Sequence, residues 1–186
     1  MLDAALKRFN AHGYAATTVE SIAGDAGVSA ATIYKAYGGK PGLVRALCLR
    51  ALEGEGSIPA EVRSDALKAG EADPRRVIEG WGRLTSEVAP RVAPILLLLR
   101  DAADADPAAA ALHAELDQNR LARMTQNARH LVRGGHVRKG VSLAHAADVL
   151  WTYSSPELFD LLVRRRRWSL ERYGRFVADG IAGALL

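Results

Sequence analysis

The fold is decided by residues 13–43, which read GYAATTVESIAGDAGVSAATIYKAYGGKPGL. Either Thr17 or Thr18 can cap a helix of about eight residues, because a threonine hydroxyl accepts hydrogen bonds from the free N–H groups of a first turn. Gly27 tolerates the left-handed turn that follows, and Ser29 can cap a second short helix. Two short helices joined by a tight glycine turn predict a helix-turn-helix, whose second helix enters the major groove of DNA.

The charge around this motif fits a polyanionic partner. No acidic residue occurs between Ala26 and Leu52, whereas four residues there are basic: Lys35, Lys40, Arg45 and Arg50. The second helix directs outward a set of small, hydroxyl-bearing or basic side chains: Ser29, Ala30, Ala31, Thr32, Tyr34 and Lys35. A helix that begins near Lys40 also offers free N–H groups to a phosphate.

The remaining two thirds of the 186 residues show helical periodicity, with almost no strand-like alternation. We therefore predict an all-α fold: an N-terminal three-helix helix-turn-helix domain followed by a helical ligand-binding and dimerisation domain. The later helices are expected near 59–70, 74–89, 94–104, 107–133, 142–154, 156–166 and 169–185. The pairs Asp73-Pro74, Asp106-Pro107 and Ser155-Pro156 each look like a cap followed by proline at the first helical position.

Composition and spacing exclude several classes of protein. A single cysteine, Cys48, rules out an internal disulfide and a zinc site built on several thiolates, and suits a reducing cytosol. No apolar run reaches the length of a membrane span, and the N-terminus does not resemble a signal peptide, so we expect a cytoplasmic protein. Four histidines have no metal-ligand spacing, namely His113, His130, His136 and His145. With no nucleophile elbow or phosphate loop either, we expect no metal, no cofactor and no enzyme activity.

The helix-turn-helix region also resembles a known protein family. The pattern Phe9-x3-Gly13-Tyr14-x2-Thr17-Thr18-Val19-x2-Ile22-Ala23-x3-Gly27-Val28-Ser29-x2-Thr32-Ile33-Tyr34-x2-Tyr37-x2-Lys40-x2-Leu43 resembles the N-terminal domain of TetR-family transcriptional regulators. The resemblance covers about residues 2–50. It implies a DNA-binding domain over residues 1–50 and an effector-binding and dimerisation domain over residues 51–186.

The resemblance also implies roles for individual residues. Thr18 and Lys40 should hold phosphates, Tyr34 should reach the DNA backbone, and Thr32 and Lys35 should meet base edges or phosphates. The full set of expected DNA contacts is Thr17, Thr18, Ser29, Ala30, Ala31, Thr32, Tyr34, Lys35, Tyr37 and Lys40. Two departures reduce the expected affinity. Ala36 stands where the family often has a phosphate-contacting His or Tyr, and Met1-Leu2 falls inside the family's first helix, so the preceding basic arm is missing unless the start is misassigned or the chain trimmed.

In the second domain the resemblance implies a pocket for a small-molecule effector. Large side chains that could line it are Trp81, Leu84, Met124, Trp151 and Tyr153. An apolar stripe on the last helices suggests a homodimer built as a four-helix bundle, through Leu158, Leu161, Leu162, Tyr173, Phe176, Val177, Gly180 and Ile181. In both sets, packing within the chain is the alternative.

The functional expectation is a ligand-responsive homodimeric repressor that binds a pseudo-palindromic DNA operator. Two alternatives stay open: an activator of the same architecture, and a helical small-molecule-binding protein with a vestigial helix-turn-helix. Two basic stretches, 118–147 and 164–167, can be solvated helix faces or anion-binding surfaces.

Overall fold

A computed structural model describes residues 1–53 and 58–186, and within them every regular element is a helix. The α-helices in chain order are α1 (Leu2–Ala16), α2 (Val19–Ala26), α3 (Ala30–Tyr37), α4 (Lys40–Glu53), α5 (Ala60–Gly70), α6 (Pro74–Ala102), α7 (Pro107–Arg133), α8 (Leu143–Tyr153), α9 (Pro156–Phe159) and α10 (Leu170–Leu185). A π-helical segment, Asp160–Arg165, follows α9. The all-α prediction is confirmed.

The chain divides into two compact units. The first contains Met1–Ala51 and Pro94–Leu116, and the second contains Leu52–Ala93 and Asp117–Leu186. Helices α6 and α7 each contribute to both units. The first unit therefore includes the segment 94–116, which the expected boundary near residue 50 assigned to the other domain.

The three proline-led helix starts form as the sequence predicts. Asp73 accepts a hydrogen bond from the Arg75 N–H at 2.9 Å, and Asp106 accepts one from the Ala108 N–H, also at 2.9 Å. The Ser155 hydroxyl accepts from the Leu158 N–H at 3.2 Å, with proline in the first turn. These caps satisfy N–H groups that have no partner inside the helix.

The separate helices expected at 74–89 and 94–104 are wrong, because α6 runs unbroken from Pro74 to Ala102 through Pro90 and Pro94. An interior proline costs about 3 kcal/mol. Against that cost, Ile95, Leu97 and Leu99 are almost completely buried, and each such side chain contributes about 1.5–3 kcal/mol. The apolar burial therefore outweighs the local helix breakers.

The core of the second unit forms around large side chains from five helical segments. Its buried members include Val77, Ile78 and Trp81 of α6, Leu131 of α7, Leu150 of α8, Phe159 of α9, and Tyr173, Val177 and Ile181 of α10. The rings of Phe159 and Tyr173 meet edge to face, with 5.6 Å between their centroids. Side chains far apart in the sequence thus share one apolar interior.

Candidate nucleic-acid interface

The turn between α2 and α3 has the geometry of a helix-turn-helix. Gly27 lies in the left-handed region at φ 64° and ψ 31°. The Val28 N–H donates to the Ala23 carbonyl at 3.1 Å, and the Gly27 N–H donates to the Gly24 carbonyl at 3.3 Å. This pair of bonds is a Schellman motif, which needs a residue that adopts positive φ without strain. Ile22 and Ile33, both fully buried, anchor the two helices.

Short-range caps fix where both helices begin. The Thr18 hydroxyl accepts from the Ser21 N–H at 3.1 Å, and the Ser21 hydroxyl accepts from the Thr18 N–H at 3.3 Å. Thr18 is therefore the cap of α2, in a capping box with Ser21. In α3 the Ser29 hydroxyl accepts from the Thr32 N–H at 3.1 Å, and the two side-chain oxygens lie 2.9 Å apart.

Thr17 does not fit its expected roles as a cap or a DNA contact. Its side chain is 1% exposed, and its hydroxyl donates to the Gly13 carbonyl at 2.7 Å. Gly13 itself interrupts α1 at φ 79° and ψ 170°. A buried hydroxyl that is already bonded cannot reach a phosphate, so Thr17 stabilises the end of α1 instead.

The outward face of α3 presents most of the other expected contacts to solvent. Ser29, Ala31, Thr32 and Lys35 are exposed, and Tyr34 is 53% exposed although it is a large aromatic side chain. Ala30 and Tyr37 are half-buried. An exposed helical face with hydroxyl, phenol and ammonium groups can donate to phosphates and to base edges.

Lys40 lies at the start of α4 but turns inward. Its Nζ donates to the Tyr14 carbonyl at 3.0 Å and lies 4.4 Å from the centroid of the Tyr14 ring. The cation–π contact and the hydrogen bond both hold the ammonium group on its own domain. Contact with a phosphate through Nζ would therefore require this lysine to exchange partners.

Other basic residues of the first unit form ion pairs with carboxylates of the same unit. Arg8 pairs with Asp25 at 2.5 Å, and this neighbour keeps the pKa of the Asp25 carboxyl below its usual value. In the acid-free stretch, Arg45 pairs with Glu115 at 2.6 Å and Arg50 with Asp3 at 2.7 Å. Within that stretch, Lys35 remains the exposed cation on the outward face of α3.

Sequence reasoning missed one residue that positions α3. A Cβ atom built on Gly42 would lie 1.5 Å from the Tyr37 carbonyl oxygen, so the backbone of α4 packs directly against the last residue of α3. No side chain other than hydrogen fits there. The signal in the sequence was the glycine after Lys40-Pro41, inside the first turn of a helix where glycine is otherwise unfavourable.

Cys48 is 6% exposed, and burial raises the pKa of its thiol to about 12. A protonated, enclosed thiol is a packing side chain. No group of three His, Cys, Asp or Glu side chains suited to a metal ion occurs in the described ranges. Within those ranges no helix has the length and hydropathy needed to cross a bilayer.

The structure brings four of the five expected pocket residues to one apolar cluster of the second unit. Trp81 is a member, and Leu84, Met124 and Tyr153 pack against it. Trp151 packs its ring on the guanidinium of Arg120 at 4.7 Å. A separate open groove of about 570 Å³ lies between α5 and α6, where Leu84 lines one side.

The expected dimer residues separate into two groups. Tyr173, Val177 and Ile181 are at most 3% exposed within their own unit, so assigning them to a subunit interface was wrong. Gly180 was expected to let a partner helix approach, but a Cβ on it would lie 2.3 Å from the Tyr153 ring of the same chain.

The second group keeps an accessible apolar surface. Leu161 is 51% exposed and Phe176 is 38% exposed, while Leu158 and Leu162 are half-buried. Periodicity alone could not separate the two groups, because a side chain packed in its own core and one packed on a partner follow the same spacing.

Comparisons with known proteins agree with this geometry. Residues 1–47 match the family model for bacterial regulatory proteins of the tetR family. A curated relative, the uncharacterized HTH-type transcriptional regulator YvkB of Bacillus subtilis (strain 168), is 41% identical over 68 residues. That match covers 37% of this chain and spans 36% of the relative's length.

Solved structures share the fold along the whole chain. The transcriptional regulator FadR from Bacillus subtilis, solved in complex with stearoyl-CoA, has a TM-score of 0.76 at 17% identity and covers 100% of this chain and 97% of its own. The TetR-family regulator PfmR from Thermus thermophilus has a TM-score of 0.66 at 20% identity, over 100% of this chain and 98% of its own. A SmeT–triclosan complex has a TM-score of 0.75 at 21% identity, over 100% and 89%.

The curated relative and the FadR and PfmR structures are described as transcriptional regulators. The helix-turn-helix geometry and the family match mark residues 1–47 as a helix-turn-helix segment of the tetR type, and the chain as a whole shares its fold with the compared structures.

Proposed function

We propose that this chain is a homodimeric, ligand-responsive repressor that acts in the cytoplasm by binding a pseudo-palindromic DNA operator. The observation that carries the proposal is the outward face of α3, where exposed Thr32, Tyr34 and Lys35 lie in a stretch without any acidic residue. Phosphate contacts supply most of the affinity of such a domain, and base contacts supply its sequence preference.

The proposed DNA contacts are the accessible members of the expected set: Thr18, Ser29, Ala30, Ala31, Thr32, Tyr34, Lys35 and Tyr37. Lys40 joins them only if its ammonium leaves the Tyr14 carbonyl, although the free N–H groups at the start of α4 can bind a phosphate without that change. Because the motif is short, one copy reads few base pairs. A two-fold dimer would read two half-sites about 34–36 Å apart, or a multiple of that distance.

For the dimer we propose the exposed apolar side chains at the C-terminal end of the second unit, above all Leu161 and Phe176. The Phe176 ring lies 5.4 Å from the Trp168 ring, which extends this surface. Sedimentation of Leu161→Glu should show monomers at a concentration where the wild type is dimeric. Leu49→Glu, at a residue 66% exposed on α4, is the matched control and should leave the association unchanged. Equal effects of both substitutions would contradict this interface.

Responsiveness to a small molecule rests on the helical second unit and on two structural neighbours, which were solved with stearoyl-CoA and with triclosan. A ligand can change operator affinity only through its different affinities for the DNA-bound and free states. A ligand that favours the free state would release the repressor from the operator.

Selection of binding sites from random DNA duplexes tests the proposal. We expect enrichment of an inverted repeat, and a reporter promoter that carries this repeat should lose output when the protein is present. A gain in output would show an activator instead. If no sequence is enriched, the helix-turn-helix does not act as a specific DNA reader and the proposal fails.

A further inference from the structure

Among the buried hydrogen-bond donors of the second unit that have no acceptor, four belong to aromatic residues and to the arginine stacked on one of them. They are Trp81 Nε1, Trp151 Nε1, Arg120 Nε and the Tyr173 hydroxyl. Trp81 is 5% exposed and Tyr173 is completely buried. A buried polar group without a partner costs about 1–3 kcal/mol, so several in one region call for an explanation.

These donors come from four helices, and two of them belong to one apolar cluster. Trp81 of α6 and Tyr173 of α10 are both members of that cluster. Arg120 of α7 stacks on the Trp151 ring of α8, and its charge acts on the Tyr173 hydroxyl. In the first unit the Tyr14 hydroxyl is also buried without a partner, but no second described donor accompanies it there.

Arg120 is held in place by its other two nitrogens. Nη1 donates to the Trp151 carbonyl at 2.5 Å and to the Ser154 hydroxyl at 3.1 Å, while Nη2 donates to the Asp117 carboxylate at 2.7 Å. The planar guanidinium is therefore fixed, and its remaining N–H is directed by these bonds.

The four groups share one chemical property. Indole and guanidinium nitrogens donate and never accept. Burial raises the pKa of the Tyr173 phenol, so its hydroxyl keeps its proton and can donate. The surrounding side chains are apolar, including Phe159, Leu150 and Met124. Donors in an apolar setting are complementary to a molecule that is mostly apolar and carries an oxygen acceptor.

We propose that the effector is a small apolar molecule with a carboxylate or carbonyl oxygen, which accepts hydrogen bonds from Trp81, Trp151 and Tyr173 in the second unit. This inference rests on the proposed ligand response and specifies its chemistry. Arg120, whose side chain is 15% exposed, is already paired with Asp117, so the three neutral donors carry the proposed contact.

Three probes of equal chain length separate the possibilities: octanoate, 2-octanone and octylamine. The full-length protein labelled with ¹⁵N gives one indole N–H signal for each of its three tryptophans. Octanoate, 2-octanone or both should shift the Trp81 and Trp151 signals downfield. Trp168, which packs on Arg172 and Phe176, is the internal control and should not follow them.

Octanoate binding alone would assign the acceptor as a carboxylate, and binding of both acceptors would include carbonyl compounds. Octylamine, whose ammonium group donates but cannot accept, should leave all three signals in place. Equal shifts with octylamine, or no shift with either oxygen acceptor, would overturn the proposal.

Variants test the donors one at a time. Tyr173→Phe removes only the hydroxyl, and it should weaken binding of the active acceptor about tenfold, as expected for one hydrogen bond to a charged or strongly polar oxygen. Trp81→Phe should also weaken binding, while Tyr14→Phe, which removes an unpartnered buried hydroxyl from the first unit, should not. If Tyr173→Phe and Trp81→Phe bind the probe as the wild type does, these residues are not the donors and the proposal fails.

The probe experiment contains no DNA, so its result is independent of operator binding. Specific operator binding together with no probe binding would reject the inferred chemistry alone. Probe binding with the expected indole shifts but without any enriched operator would support the inferred chemistry and reject the proposed repressor.

Discussion

The two compact units differ in the range of the interactions that fix their important side chains. In the first unit, Thr18 bonds to Ser21 and Ser29 bonds to Thr32, so the helix starts are set within three residues. In the second unit, Trp81 and Tyr173 lie in one cluster although α7, α8 and α9 separate them in the chain. Local chemistry therefore determines the helix-turn-helix, whereas long-range packing determines the interior where a ligand is proposed to bind.

The close approach of α4 to α3 is an exception to this pattern, because it depends on packing between helices. A substitution that disrupts it should have the largest effect on stability. Gly42→Ala places a Cβ 1.5 Å from the Tyr37 carbonyl oxygen. Both groups belong to the backbone, so relieving the clash requires one of the two helices to move. We expect a loss of about 3 kcal/mol or more in the free energy of unfolding, at the upper end of overpacking costs. Urea unfolding followed by circular dichroism measures it.

Gly24→Ala is the matched control in the same unit. Gly24 is helical, and a Cβ there meets nothing within 4 Å. Replacing glycine by alanine inside a helix should stabilise the protein by about 0.5–1 kcal/mol. If Gly42→Ala unfolds at the same urea concentration as Gly24→Ala, the close packing of α3 on α4 is not what fixes α3.

The next largest effect concerns the packing of α10 on α8 inside the second unit. Gly180→Ala brings a Cβ within 2.3 Å of the Tyr153 ring, whose far end can move, so we expect a loss of about 1–3 kcal/mol. Tyr153→Ala should remove most of that additional loss in a double-mutant cycle. A change in the dimer dissociation constant, without any change in unfolding free energy, would instead place Gly180 at the subunit interface.

Much of the first unit could be predicted from its sequence because its signals are local. The turn at Gly27, the cap at Ser29 and the start of α4 near Lys40 all follow from residue types within a few positions. The inward turn of Lys40 could not be predicted, because its partner is the Tyr14 carbonyl, far away in the chain. The choice between Thr17 and Thr18 depended in the same way on which hydroxyl the fold buries.

In the second unit, periodicity predicted most of the helices but not which side chains they pack against. The unbroken α6 was missed because Pro90 and Pro94 are strong local signals, and the opposing burial of Leu97 and Leu99 is a tertiary effect. The interior position of Val177 was missed because helical spacing does not show whether an apolar stripe packs against its own chain or against a partner. The unpartnered indole of Trp81 has no signature in the sequence at all.

The smallest expected effect concerns an ion-pair network between α5 and α7. The Arg123 and Lys68 side chains lower the pKa of Asp65 from 3.8 to about 2. Because the folded state binds this proton less readily, the contribution is complete above about pH 4 and is lost as the pH falls toward 2.

The stability difference between wild type and Asp65→Asn should therefore shrink between those pH values. Asp65 is 56% exposed, so solvent screening keeps the difference below about 1 kcal/mol at neutral pH. Urea unfolding across this pH range measures the difference, and the exposed Asp148→Asn provides the control. A difference between wild type and Asp65→Asn that is constant with pH would contradict the ion pair.

The salt dependence of operator affinity tests most directly whether the exposed face of α3 binds DNA. Lys35→Ala removes one exposed cation from that face, and Lys139→Ala removes one exposed cation from the loop between α7 and α8. If Lys35 contacts a phosphate, its removal should lower the slope of log affinity against log salt by about one unit, while Lys139→Ala leaves the slope unchanged. Equal slopes for wild type and Lys35→Ala, or equal losses in the two variants, would contradict a DNA-binding role for this face.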